Sequence, residues 1–146
     1  MSKGVILLVE DNPSDVDLTR RAFERKQIAN PLVVAEDGQE ALDYLFCRGL
    51  HAGRTADRDP ALVLLDINLP RIDGLDVLRQ LRANPRTKRI PVTMLTTSKE
   101  EQDLITSYDL CVNSYIRKPV DFNQFVEVAG QLGLYWLVLN EAPPKS

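Results

Sequence analysis

Apolar residues fall in short uninterrupted runs along this chain, each followed by a polar break and then by apolar positions at helical spacing. The runs are Val5-Ile-Leu-Leu-Val9, Leu32-Val-Val-Ala35, Ala61-Leu-Val-Leu-Leu65, Pro91-Val-Thr-Met-Leu95 and the short Ser114-Tyr-Ile116. Runs of this length without polar alternation read as strands covered on both faces. Between them, one-sided stripes predict helices: Val16, Thr19, Ala22, Phe23 and Lys26; Ala41, Leu42, Leu45 and Phe46; Leu75, Leu78 and Leu81; Leu104, Ile105 and Tyr108; and Phe122, Phe125, Val126, Ala129 and Leu132. The punctuation agrees. Asn12-Pro13 is an N-cap followed by proline in the first turn, Ser98 with Glu101 is a capping box, Asp121 caps the final stripe, and Asn84-Pro85 stops the third helix.

Five strands alternating with five helices imply right-handed crossovers, and hence a parallel sheet with helices on both faces. The expected architecture is a three-layer α/β domain of strand order 2-1-3-4-5. At 146 residues the chain is one domain's worth, able to bury roughly 70% of its unfolded surface. That domain is expected to span residues 3–140, with 141–146 as a tail. The segment from Cys47 to Pro60, rich in Gly, Arg and Asp, reads as a long exposed loop with Arg48, Arg54 and Arg58 solvated.

Charge and composition narrow the chemistry. A net charge of −3 with basic and acidic residues interspersed argues against direct DNA binding. No apolar run approaches a membrane span, and Met-Ser-Lys-Gly with the run behind it is too short for a signal peptide, so a cytoplasmic protein is expected. Cys47 and Cys111 lack metal-ligand spacing and are expected as free thiols. His51 is the single histidine and lies in the predicted loop, which disfavours a His-based metal site or a Ser-His-Asp hydrolase.

In an open parallel sheet, ligands bind beyond the carboxyl ends of the strands at the point where the strand order reverses. The notable polar residues all follow strand ends: Glu10 and Asp11 after the first run, Asp66 after the third, Thr96 after the fourth and Lys118 after the fifth. With strands one and three adjacent, Asp11 and Asp66 approach each other, and their repulsion calls for a cation. Oxygen ligands without His or Cys suit a hard ion, Mg²⁺ more than Ca²⁺. A carboxylate beside such an ion and a lysine can attack phosphorus, and the Thr96 hydroxyl can donate to a phosphoryl oxygen.

On these residues the chain resembles the response-regulator receiver domains of two-component signalling, a flavodoxin-like fold. The resemblance rests on Glu10-Asp11, Asp66 in Asp-Ile-Asn-Leu-Pro with Asp73-Gly74 beyond it, Thr96, Tyr115 and Lys118-Pro119, and runs from about Val5 to Leu132. It implies that Asp66 is the phosphoacceptor. It implies further that Asp11, Asp66 and the backbone carbonyl of Asn68 bind Mg²⁺, with Glu10 acting through water. Lys118 then pairs with the phosphoryl group, Thr96 hydrogen-bonds it, Tyr115 is a rotameric switch, and the Lys118-Pro119 bond is cis. The protein is thus expected to be a signalling module that catalyses only its own phosphotransfer and dephosphorylation.

The 47–60 loop and the apolar Leu134-Tyr-Trp-Leu-Val-Leu139, with no output domain expected after the receiver, make it more specifically similar to stand-alone regulators served by phytochrome-type histidine kinases. That apolar extension predicts a homodimer through the C-terminal region or the adjoining fourth helix and fifth strand. Competing readings are a phosphorylation-independent dimeric scaffold and an Mg²⁺-dependent aspartyl phosphatase. The phosphatase lacks its second acid, because position 68 is Asn. An FMN carrier would need a hydroxyl-rich loop where Glu10-Asp11 stands.

Overall fold

A computed structural model describes residues 4–53, 59–67, 69–96, 109–110, 114–117 and 122–132. Five parallel strands, β1 (Ile6–Val9), β2 (Leu32–Ala35), β3 (Leu62–Asp66), β4 (Val92–Thr96) and β5 (Ser114–Arg117), form one sheet in the order β2-β1-β3-β4-β5. Helices α1 (Pro13–Arg25), α2 (Gly38–Leu45), α3 (Gly74–Ala83) and a C-terminal helix (Phe122–Leu132) surround it. The helix expected from Ser98 and the Asp121 cap lie outside the described residues, as does the apolar 134–139 extension.

Residues of β1 and β3 alternate between two cores. Ile6, Leu8, Leu62 and Leu64 pack with Ala22, Phe23 and Ala129 from α1 and the C-terminal helix. Leu7, Val9, Val63 and Leu65 pack with Ala41, Leu42, Leu45, Val77, Leu78 and Leu81 from α2 and α3. All eight of these strand residues are fully buried, which is why no polar residue interrupts either run. A β-strand turns successive side chains to opposite faces, so one continuous apolar run supplies both cores.

The helix starts follow from side-chain chemistry. Asn12 Oδ1 accepts from the backbone N–H groups of Ser14 and Asp15, Asp37 caps α2 through Glu40 N–H, and Asp73 caps α3 through Asp76 N–H. The helix ends were less visible. At the end of α1, Ile28 N–H donates to Phe23 C=O and Gln27 N–H to Glu24 C=O; at the end of α2, Arg48 N–H donates to Asp43 C=O and Cys47 N–H to Tyr44 C=O. Both are Schellman closures, and both put a residue other than glycine in the left-handed region, with Gln27 at φ 57° and Cys47 at φ 55°. Lys26, placed in the α1 stripe by its spacing, is instead the exposed residue after the last helical turn.

The described parts of the 47–60 segment, residues 47–53 and 59–60, are more ordered than an open loop. Gly49–His51 form a 3₁₀ turn, and the His51 ring meets Tyr44 of α2 edge-on at 5.1 Å. Arg86 closes the segment at both ends: Nη1 donates to Asp59 Oδ1 at 2.5 Å, and Nη2 donates to the Leu45 carbonyl. Arg48 is exposed and faces Asp43 at 3.7 Å, while Arg54 and Arg58 lie outside the described residues.

Candidate metal and phosphoacceptor site

The site is assembled by strand register. Val9 pairs with Leu65, so one step further brings Glu10 beside Asp66. The sheet's hydrogen bonding continues past that step, with Glu10 N–H donating to Ala35 C=O and Ile67 N–H to Leu95 C=O, both at 3.0 Å. The backbone under the site is therefore held as firmly as the core strands. Asp11, one residue on, is exposed at the mouth of the same end.

Carboxylate oxygens of Glu10, Asp11 and Asp66 all lie within 4.8 Å of one another. Glu10 is 2% and Asp66 5% exposed, so water screens them poorly. Two like charges at that separation repel by about 3.5 kcal/mol at an effective dielectric of about 20, less where Asp11 meets solvent. Three oxygen donors without imidazole or thiolate fit a hard divalent cation such as Mg²⁺ or Mn²⁺. Glu10 is as enclosed as Asp66 and stands within the cluster; its Oε1 also accepts the Asn12 N–H at 3.2 Å, tying the cluster to the start of α1. A cleft of about 390 Å³, lined in part by Glu10, Asp11, Asp17, Arg20 and Glu36, opens beside the carboxylates.

Beyond Asp66 the chain is folded tightly. Ile67 C=O accepts from both Leu69 N–H and Gly74 N–H, and Ile67 and Leu69 are buried in the core. A β-carbon on Gly74 would lie 2.1 Å from the Asp66 carbonyl oxygen, and one on Gly38 would lie 2.0 Å from the Ile72 carbonyl oxygen. Both helices that follow the β2 and β3 ends thus begin on a glycine pressed against the loop after Asp66. The Asp-Gly pairs at 37–38 and 73–74 were the sequence signal for these contacts, which spacing alone did not connect.

The backbone of Thr96 is the last residue of β4, one step past Leu95, the partner of Asp66. Tyr115 pairs with Met94 in β5. The side chains of Thr96 and Tyr115, and Asn68 and Lys118 altogether, lie outside what the structure describes. The carboxylates predicted to converge therefore do so, and the remaining predicted members are located only as far as their strands.

Comparison with known proteins gives this arrangement its class. The response regulator receiver domain family matches residues 6–129, and the chain belongs to that family. Over 139 residues, 95% of this chain and 87% of the other, it is 42% identical to the probable methanogenesis regulatory protein FilR2 of Methanothrix harundinacea. It is 38% identical to response regulator Rcp1 of Synechocystis over 91% of this chain and 88% of that protein. Among solved structures, the Mn²⁺-bound form of Rcp1 superposes with a TM-score of 0.85 over 97% of this chain and 99% of that one, at 37% identity. The bacteriophytochrome response regulator AtBRR is 52% identical with a TM-score of 0.78, over 97% and 100% of the two chains. The protein is a receiver-domain signalling module, and no helix among the described residues is long and apolar enough to cross a membrane.

Proposed function

We propose that this chain is a cytoplasmic response regulator that accepts a phosphoryl group on Asp66 from a phytochrome-type sensor histidine kinase and signals through altered surface contacts. The observation that carries the reading is the convergence of Glu10, Asp11 and Asp66 within 4.8 Å at the carboxyl end of the sheet, two of them nearly buried. The phytochrome assignment is supported by the likeness to the bacteriophytochrome response regulator AtBRR over that protein's whole length.

In this reading an Asp66 carboxylate oxygen attacks the phosphorus of a kinase phosphohistidine. The O–P bond forms as the P–N bond breaks, and the bonding pair leaves with the imidazole. Asp11, Asp66 and the Asn68 carbonyl would hold Mg²⁺, with Glu10 assisting; once bound, the ion neutralises charge on the phosphoryl oxygens. Lys118 pairs with the transferred group and Thr96 donates a hydrogen bond to it, so that Thr96 reports its presence and Tyr115 passes the change to the β5 surface. Water entering the same pocket attacks the phosphorus, the P–O bond to Asp66 breaks and inorganic phosphate leaves, so the module catalyses its own dephosphorylation as well as its own phosphorylation. Residues 3–140 form the one domain, with a homodimer through the C-terminal region or the adjoining fourth helix and fifth strand, and without direct DNA contact.

Phosphoryl transfer from two radiolabelled histidine kinases, one of phytochrome type and one of another input class, tests the reading. Rapid labelling of wild type from the phytochrome-type kinase, absent in Asp66→Asn, is expected. Equal or faster labelling from the other kinase would remove the pathway assignment and leave the phosphoacceptor standing.

A further inference from the structure

The loop after Asp66 is fastened on its inner side by Ile67 and Leu69 and on its outer side by a different device. Arg71 sits at φ 68°, in the left-handed region that favours glycine, with its side chain directed to Asp37. The two oxygens of Asp37 divide their work. Oδ1 accepts Glu40 N–H at 2.8 Å and so starts α2, while Oδ2 stands 3.7 Å from Arg71 Nε. Immediately beside this pair, Gly38 presses on the Ile72 carbonyl, and Ile72 N–H closes onto Pro70 C=O at 2.9 Å. One carboxylate thereby joins the first turn of α2 to the loop that leaves Asp66.

We propose that Arg71 and Asp37 form a latch holding the β3–α3 loop in place behind the acidic cluster, which makes Arg71 a positioning residue for cation binding and phosphoryl acceptance. The latch rests on the phosphoacceptor reading of Asp66. Glycine would meet the backbone requirement at position 71 without strain; arginine there adds a side chain long enough to reach α2, and its described partner is the α2 cap. The Arg71 side chain is 71% exposed and that of Asp37 21%, so the pair acts on the position of the loop more than on global stability.

Charge gives the test a sign. If Arg71 acted only through space, removing its positive charge would tighten cation binding to the carboxylates. The latch requires the opposite. Mn²⁺ binding followed by electron paramagnetic resonance is measured for wild type, Arg71→Gln, Asp37→Asn, which keeps an N-cap oxygen, and the double variant. Each single change is expected to weaken Mn²⁺ binding about two- to fivefold, the range of an exposed ion pair, and the double variant no further. Amide hydrogen exchange across 66–74 should quicken in all three variants, with β1 unchanged. Unchanged or tighter Mn²⁺ binding in Arg71→Gln would overturn the latch. Absence of Mn²⁺ binding by wild type would instead remove the reading beneath it, and would show before any variant is compared.

Discussion

Gly74 lies against the backbone carbonyl of Asp66 so closely that a methyl group on it would come within 2.1 Å of the oxygen. The Gly74 N–H donates to Ile67 C=O at 2.8 Å in the same turn, so the helix cannot retreat without breaking the loop. Gly74→Ala is therefore expected to cost about 2–3 kcal/mol, at the upper end of overpacking penalties. Urea unfolding measures it, and Asp66 labelling should fall with it because the displaced carbonyl belongs to Asp66 itself.

The Schellman closure at the end of α1 makes the opposite prediction. Gln27 is held at φ 57° between two hydrogen bonds that any residue could make. Gln27→Gly removes the left-handed penalty and is expected to stabilise by about 0.5–1 kcal/mol, a net figure after the entropy glycine loses on folding. A raised urea midpoint at constant slope is the expected signature.

The Arg86 guanidinium bonds on both sides of the segment that leaves α2, at Leu45 and Asp59. Arg86→Ala should loosen the chain at those two contacts, and trypsin should cut at the exposed Arg48 several-fold faster, while phosphoryl acceptance at the opposite end of the sheet is unchanged. Limited proteolysis with mass mapping checks both the site and the rate.

Repulsion among Glu10, Asp11 and Asp66 should make the cation-free protein less stable than one lacking a carboxylate. In a chelator, Asp66→Asn is expected to melt above wild type. Added Mg²⁺ should raise the wild-type midpoint by the linkage between binding and folding, and raise that of Asp66→Asn less. Thermal melts with and without Mg²⁺ read both arms.

The two apolar runs of β1 and β3 and the acidic residues at their ends were legible because buried parallel strands leave a continuous signal and the strand order then dictates adjacency. Asn12 was legible as a cap for local reasons, whereas the capping roles of Asp37 and Asp73 emerged only from the structure. The ends of α1 and α2 were not, since Gln27 and Cys47 occupy positions where glycine is the usual mark. Nor was the anchoring of Leu45 and Asp59, on either side of the segment that leaves α2, by one arginine. These contacts join Arg86 to residues 27 and 41 positions away, and periodicity carries no information about such pairs. The Arg71–Asp37 contact escaped for the same reason, although each residue sits in a recognisable turn.

Phosphate acceptance by Asp66 is proposed to need a divalent cation held at Glu10 and Asp11. Incubation with acetyl phosphate, read by intact mass, tests it most directly for wild type and Asp66→Asn with and without Mg²⁺. Wild type is expected to gain one phosphoryl group, and the gain to disappear on removing either Mg²⁺ or the Asp66 carboxylate. A folded, Mg²⁺-binding wild type that gains nothing, or an Asp66→Asn variant that gains as much, would contradict it.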